Sequence, residues 1–253
     1  MTKKEEKATY DHFKQFGDDV EGYEGLDMSV MAIPFIRIIQ ALSPQLNKRK
    51  AEYVPAAEIG DVVNNITGQI YTTPLKIVIG KFEHIYTAWK PKRGGFQGVF
   101  APEMVETDPK YVMNEKFKLI DSETGNELVD TYVYYCMLPD YMQDEVVILS
   151  LSSTQLKEAK KLNRLLMTTY LPGTQTKAKP FFMVWELSIT EESNDQGDWA
   201  GLSFKFDKFV TPELLEHVVT ERKALPNKRV DYSLIEETAG KPDKDAGADH
   251  TKY

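Results

Sequence analysis

The stretch "VVILSLSSTQLKEAKKLNRLLMTTY" (146–170) decides the fold, because the spacing of its apolar residues changes partway through. The opening "VVILSLS" is an apolar run rich in branched residues, which is typical of a strand. From Leu156 the apolar residues follow helical spacing, and Ser153 or Thr154 is the expected N-cap. We therefore expect a strand followed directly by a helix over 154–170.

Strand-like segments lie on both sides of this stretch. They are "KFKLI" (116–120), "TYVYYCML" (131–138), "PFFMVWELSIT" (180–190) and "WAGLSFKFDKF" (199–209). The order of three strands, a helix and two strands matches the OB-fold, a five-stranded Greek-key barrel with its helix between the third and fourth strands. The sequence therefore predicts a mainly β protein with helices (α+β), built on an OB-fold-like Greek-key barrel.

Further elements are expected before and after the barrel. The segment "PLKIVIGKFEHIYTAW" (74–89) indicates two strands or one kinked strand around Gly80, which would extend or flank the barrel. The segment "TPELLEHVVTERKAL" (211–225) indicates a C-terminal helix, with Thr211 as N-cap and Pro212 at the first helical position.

Charge divides the chain into three parts. Residues 1–27 hold four lysines against eight acids, and residues 231–253 hold three lysines against six acids. The body between them is nearly neutral, with 24 basic and 25 acidic residues. We expect a flexible acidic arm over 1–27, a single OB-like nucleic-acid-binding domain over 28–230 and a disordered acidic tail over 231–253.

Several classes of protein are disfavoured by the composition and the motifs. The longest apolar run is too short to span a bilayer, and the single cysteine, Cys136, excludes an internal disulfide. The sequence has no phosphate-binding loop, dinucleotide fingerprint or nucleophile elbow, and its four histidines are scattered. We therefore expect no enzymatic activity, no cofactor and no metal site.

The segment "YTAWKPKRGGFQGVF" (86–100) combines aromatic rings, cations and glycines. Single-stranded nucleic acid is bound by this combination, because cations follow the phosphates and rings stack on bases. The alternative is a surface hairpin with buried rings and solvated lysines. The candidate DNA-binding residues here are Tyr86, Trp89, Lys90, Lys92, Arg93 and Phe96.

The predicted helix carries a second candidate surface. Its core side is expected to comprise Leu156, Ala159, Asn163, Leu166, Met167 and Tyr170. A separate arc groups four cations that repel one another and that a bound polyanion would stabilise. The alternative is a solvated basic face. These candidate DNA-binding residues are Lys157, Lys160, Lys161 and Arg164.

Motifs along most of 28–210 resemble a known group of phage proteins. They are "MAIPFIRIIQALSPQL", "IGDVVNNITGQIY", "IYTAWKPKRGGF" and "LSLSSTQLKEAKKLNRLL", followed by "PFFMVWELSIT" and "GDWAGLSFKF". Together they are similar to bacteriophage single-stranded-DNA-binding proteins of the N4-like podophage type, which have an OB-fold. The resemblance implies a protein that coats single-stranded DNA in replication and recombination in the host cytoplasm. It also implies contacts with replication proteins or host RNA polymerase, although the tail here ends "HTKY" and lacks the family's terminal acidic run.

Two other classes of function remain open on the sequence. A phage structural protein would use the β-rich body and the N-terminal arm equally well. A protein that binds a host enzyme, without binding nucleic acid, would also fit the composition.

Overall fold

A computed structural model describes residues 32–91, 94–142, 146–194, 197–225 and 230–237. The arm expected over 1–27 and the part of the expected tail beyond residue 237 lie outside the described residues. Within the described ranges no helix is long and apolar enough to cross a membrane.

The described residues form a mainly β protein with a few helices, as the sequence predicts. The helices are α1 (Pro102–Thr107), α2 (Leu156–Thr168) and α3 (Pro212–Ala224). The strands are β1 (Phe35–Ile38), β2 (Val62–Asn64), β3 (Ile70–Tyr71), β4 (Leu75–Trp89), β5 (Phe96–Phe100), β6 (Tyr111–Met113), β7 (Leu119–Asp121), β8 (Glu127–Met137), β9 (Val147–Ser152), β10 (Met183–Asn194) and β11 (Gly197–Phe209).

All of these strands belong to one mixed sheet that curls into a half-barrel. Its main path runs β11-β10-β4-β8-β9-β1-β2-β3, while β5 pairs with β4 and the β6–β7 hairpin joins the sheet through β8. The pairing of β1 with β9 is parallel, and the other pairings along this path are antiparallel.

The centre of the sheet is β4, which pairs with β10 through its first residues and with β8 through the rest. The segment forms one strand, with a register shift between Ile79 and Lys81. Gly80 lies in this bulge, where an added Cβ would be 2.7 Å from Cε of Met137 and 3.1 Å from Cγ of Arg222. The kinked-strand alternative for this segment is therefore confirmed, and any larger residue at position 80 would force the side chains of Met137 and Arg222 to shift.

The prediction that "KFKLI" (116–120) is the first of the three barrel strands before the helix is wrong. It contributes only the short edge strand β7, which pairs with β6 and with the start of β8. The strand that pairs with both β8 and β10 is β4, which was expected beside the barrel. The physical reason is that β4 supplies 15 residues, enough to pair with different neighbours along its length.

Each face of the sheet has its own hydrophobic core. On the inner face, α2 packs Ala159, Leu162 and Leu166 against strand residues such as Trp185. The buried thiol of Cys136 belongs to this core, as expected of a packing cysteine. On the other face, α3 and the C-terminal residues cover a second core that includes Val218, Leu225 and Ile235.

The helix α2 begins later and faces differently than expected. A 3-10 turn over Ser153–Gln155 precedes it, and neither Ser153 nor Thr154 caps it. Met167 and Tyr170, expected in the core, are exposed, whereas Leu162 is buried. The buried side is therefore rotated toward Leu162, because the helix packs against β8, β9 and β11 together.

The start of α3 is confirmed. Oγ1 of Thr211 accepts a hydrogen bond from the Leu214 N–H at 3.3 Å, and Pro212 occupies the first turn. Arg222 in its last turn donates from Nε to the Gly80 carbonyl at 2.8 Å, which fixes the helix on the bulge of β4.

The folded part continues to residue 237, beyond the expected boundary at 230. A 3-10 turn over Tyr232–Glu237 packs Ile235 into the second core. The hydroxyls of Tyr232 and Tyr135 each donate to Oε2 of Glu83 at 2.7 Å, and Lys81 pairs with Oε1 at 2.6 Å. We call Glu83, Tyr135 and Tyr232 the C-terminal latch.

The latch ties stability to the charge of Glu83. Burial alone would raise the pKa of Glu83, but hydrogen bonds from Lys81, Tyr232 and Tyr135 outweigh it and lower the pKa below 4.5. Burial raises the pKa of Tyr232 to about 12, so its hydroxyl remains a donor at neutral pH. Because the carboxylate is favoured in the folded state, its stabilisation is present above the unfolded pKa and is lost as pH falls through the lowered folded value.

We expect Glu83→Gln to lower the free energy of unfolding at pH 7 by about 1–2 kcal/mol, since charge-assisted hydrogen bonds are replaced by neutral ones. The difference from the wild type should shrink as pH falls below about 4.5. Urea unfolding from pH 7 to pH 3 measures both effects, with Glu58→Gln at an exposed position as control. A difference that stays constant with pH would contradict this role of Glu83.

Candidate nucleic-acid interface

A row of partly exposed aromatic rings crosses the inner face of the sheet beyond the barrel core. Phe82 and His84 of β4 lie 5.4 and 5.0 Å from the ring of Tyr132 on β8, between ring centroids. The ring of His84 lies 5.6 Å from that of Tyr86. We call this row the aromatic stripe, which comprises Phe82, His84, Tyr86, Phe100, Tyr111 and Tyr132.

Strand alternation explains why these rings share a face. Phe82, His84 and Tyr86 are alternate residues of β4, so their side chains project to one side. Tyr132 lies directly opposite His84 in the antiparallel pair, which places both rings on that side. The alternation in β4 is readable from the sequence, and the ring contacts confirm it.

The stripe continues across the edge of β4. Phe100 of β5 lies opposite Tyr86, and its ring is 6.0 Å from that of Tyr111 on β6. Nζ of Lys110 lies 5.0 Å from the centroid of the Tyr111 ring. The outer end of the stripe therefore carries a cation, whose Nζ also lies 3.9 Å from Oδ2 of Asp108 and of Asp121.

The inner end of the stripe adjoins α2. The ring of Phe82, which is 40% exposed, lies 5.1 Å from that of the buried Tyr134. The Tyr134 hydroxyl donates to Oδ1 of Asn163 on α2 at 2.9 Å. Asn163 lies in the middle of α2, directly before Arg164 and one turn after Lys160, so α2 passes beside this end of the stripe.

One carboxylate lies within the stripe. Nε2 of His84 is 2.8 Å from Oδ1 of Asp130, which is opposite Tyr86 in the sheet. Partial burial, and next the Asp130 charge, raise the pKa of Tyr86 and of Tyr132. Both tyrosines are therefore neutral at neutral pH, as unshifted tyrosines also are.

The structure places the candidates from 86–96 in different environments. Tyr86 belongs to the stripe, and Lys90 is exposed after the end of β4. Trp89 is only 2% exposed: its Nε1 donates to Oγ1 of Thr87 at 3.0 Å and its ring lies 5.3 Å from that of Phe96. Trp89 therefore packs inside the protein and presents no face for base stacking. Lys92 and Arg93 lie outside the described residues.

The four cations expected on α2 are all exposed and share one side of the helix. Lys161 pairs with Glu158 one turn earlier at 2.5 Å. The side that they share is opposite the buried Ala159, Leu162 and Leu166. These cations are Lys157, Lys160, Lys161 and Arg164.

Most rings of the stripe were not among the candidates from the sequence. Phe82, His84 and Tyr132 could have been found from alternation, because "KFEHIY" and "TYVYY" each put aromatic residues on one face. Phe100 and Tyr111 could not, because their place depends on how β5 and β6 pair with distant strands.

The comparisons with known proteins give one family. The model of the family described as "Pam3 phage gp34-like protein" matches residues 3–227. The chain belongs to this family. The match indicates a bacteriophage protein, in agreement with the phage origin that the sequence resemblance implies. No curated protein and no solved structure gives a significant match.

We expect Trp89→Ala in this gp34-like protein to lower the free energy of unfolding by about 3–5 kcal/mol, because truncating a buried aromatic side chain leaves a cavity. Trp89→Phe should destabilise the protein less, since most of the volume is kept. Urea unfolding followed by circular dichroism measures both. A Trp89→Ala variant as stable as the wild type would place this side chain outside the core.

Proposed function

We propose that this phage protein binds single-stranded DNA without sequence preference and coats it in the host cytoplasm during replication and recombination. The observation that carries the proposal is the aromatic stripe, a row of partly exposed rings that ends beside a basic helix. In this proposal the protein has no enzymatic activity of its own.

The stripe has the chemistry needed to bind bases of any sequence. Stacking of a base on an aromatic side chain contributes about 1–3 kcal/mol and does not depend on base identity. Phe82, Tyr86 and Tyr132 are fixed by neighbouring rings and by a paired sheet, so little side-chain entropy would be lost on binding. Two or three stacked bases would therefore supply most of the affinity.

Cations at the two ends of the stripe suit the phosphates. Lys110 lies at one end, and α2 lies at the other, with its basic side turned away from the core. A strand that crosses the stripe would bring its flanking phosphates toward these cations while its bases cover the rings. Lys90, exposed after β4, adds a further positive charge near the outer end.

We also propose that the half-barrel is an OB-fold with an altered first strand. In this proposal β4, β8, β9, β10 and β11 are its five strands, and α2 is the helix between the third and fourth. The order β11-β10-β4-β8-β9 supports this, as does the antiparallel pairing of β4 with both β8 and β10. OB-folds bind oligonucleotides on the face of their second and third strands and with the loop after the first strand; in this assignment Tyr132 of the stripe lies on the second strand, and β5–β7 form that loop.

We expect Tyr86→Ala and Phe82→Ala each to weaken the binding of a short oligo(dT) by about 1–3 kcal/mol, because each removes one stacking face. Phe206→Ala is the matched control, since Phe206 is 36% exposed but lies on β11. Fluorescence anisotropy measures the affinities, and urea unfolding verifies that the variants are folded.

If both stripe variants bind oligo(dT) with unchanged affinity, the stripe is not part of the DNA-binding site. Absence of any binding by the wild type would contradict the proposed function itself. It would favour a phage structural protein or a protein that contacts a host enzyme.

We expect Lys160→Ala combined with Arg164→Ala to weaken binding and to flatten its salt dependence. The slope of log K against log salt should fall by roughly 0.7 for each phosphate of a single strand that the variant no longer neutralises. Lys205→Ala combined with Lys208→Ala, at exposed positions of β11, is the control that removes the same charge. If the salt slope of this variant equals that of the control, the basic side of α2 does not contact the DNA.

A further inference from the structure

The β6–β7 hairpin ends in an apolar tip that faces solvent. Phe117 is 86% exposed and Met113 is 59% exposed. The turn is well ordered by hydrogen bonds, because Oδ1 of Asn114 accepts the N–H groups of Lys116 and Lys118, each at 2.9 Å. We call residues 113–118 the tip.

The backbone conformation at Phe117 in the tip is unfavourable for phenylalanine. Phe117 has φ 57°, in the left-handed region, which costs roughly 1–2 kcal/mol for a residue with a side chain. Asparagine or glycine would fit this position better. The combination of an unfavourable backbone conformation and an exposed ring is better explained by a contact residue.

A groove of about 860 Å³ opens beside the β10–β11 hairpin. The exposed Ile59 and the ring of Trp199 provide apolar lining. Gln40 fixes one wall, because its side-chain amide donates to the Ala200 carbonyl at 2.8 Å and accepts from the Ala200 N–H at 3.0 Å.

The charge of the groove is negative. Its described lining residues include Glu191, Glu192 and Asp198 and no lysine or arginine. Such a lining repels phosphate, so the groove does not suit the DNA backbone. It suits an apolar group next to a cation, and the tip offers Phe117 between Lys116 and Lys118. These two lysines together outweigh the exposed Glu115, although Lys118 also pairs with Glu127 at 3.2 Å.

The tip and the groove lie at opposite ends of β4. The tip joins the sheet where Leu128 of β8 pairs with Ala88, near the last residue of β4. The groove lies on β10 beyond Leu187, which pairs with Leu75, the first residue of β4. A 15-residue strand has a contour of about 45 Å, and this length of β4 separates the tip from the groove along the sheet of one chain.

We propose that the tip of one copy docks into the groove of a second copy, with Phe117 against Ile59 and Trp199 and with Lys116 near the carboxylates. Two different patches meet in this contact, so it is heterologous and can repeat as an open chain of copies. The contact itself requires no DNA. Its consequence rests on the proposed function: each copy would present its stripe in the same direction along a strand, and binding would be cooperative.

Disulfide trapping between full-length copies tests the contact without removing its anchors. Met113→Cys introduces a thiol in the tip, and Ser193→Cys introduces a thiol at an exposed residue that lines the groove. The natural Cys136 is fully buried and does not compete. Met104→Cys on α1 is the matched control for the tip, since Met104 is 56% exposed.

Under mild oxidation without DNA, the mixture of Met113→Cys and Ser193→Cys copies should cross-link roughly tenfold faster than the mixture with Met104→Cys, because docking raises the effective concentration of the thiols. Adding Phe117→Asn to the tip copy should abolish the difference, while asparagine keeps the left-handed backbone. Lys116→Glu should slow the reaction, and Asp198→Lys in the groove copy should restore it.

Equal rates for the tip and control mixtures would overturn the proposal. So would faster cross-linking of Met113→Cys copies with one another, which indicates a symmetric contact, or an unchanged rate with Phe117→Asn. Because these reactions contain no DNA, their outcome is independent of oligo(dT) binding. A chain that carries both cysteines should form a ladder of oligomers, and poly(dT) should lengthen it where both proposals hold.

Discussion

The bulge at Gly80 sets which side chains of β4 face the inside of the half-barrel. Before it, Ile77 and Ile79 face the inner core, and after it Phe82 and His84 face the same side. Regular alternation would instead have turned Lys81 and Glu83 inward. The extra residue in β4 therefore turns the rings of the stripe to the inner face. A side chain at position 80 would come too close to the side chains of Met137 and Arg222, which would have to move.

The two faces of the sheet have different roles because of this bulge. The outer face is closed by α3, by Arg222 on the Gly80 carbonyl and by the C-terminal latch on Glu83. The inner face is filled by α2 only as far as Tyr134, and the stripe is the part of that face that remains open. Because α3 and the C-terminal latch pack on the outer face of the sheet, the rings on the inner face keep a fixed spacing, as a preorganised binding surface requires.

Local chemistry was predictable from the sequence only in part, and long-range pairing was not. The cap at Thr211 and the kink at Gly80 are confirmed, whereas neither Ser153 nor Thr154 caps α2. The role expected for the segment 116–120 failed because β4, with its 15 residues, is the strand that pairs with both β8 and β10, while 116–120 supplies only a short edge strand. The candidate site shows the same contrast between local sequence pattern and long-range packing. Trp89 was expected to be available to DNA, and its pairing with Phe96 and Thr87 buries it instead.

Charge explains why short-range contacts matter most in the proposed binding mode. The body over 28–230 holds 24 basic and 25 acidic residues, and the whole chain has a formal net charge of −8, so a distant polyanion is repelled and not attracted. Attraction must then arise within about 10 Å, where α2 and Lys110 act separately from the acidic groove. Asp130, in the middle of the stripe, disfavours a phosphate there but tolerates an uncharged base. The rings and charges together therefore favour bases over the centre of the stripe and phosphates at its two ends.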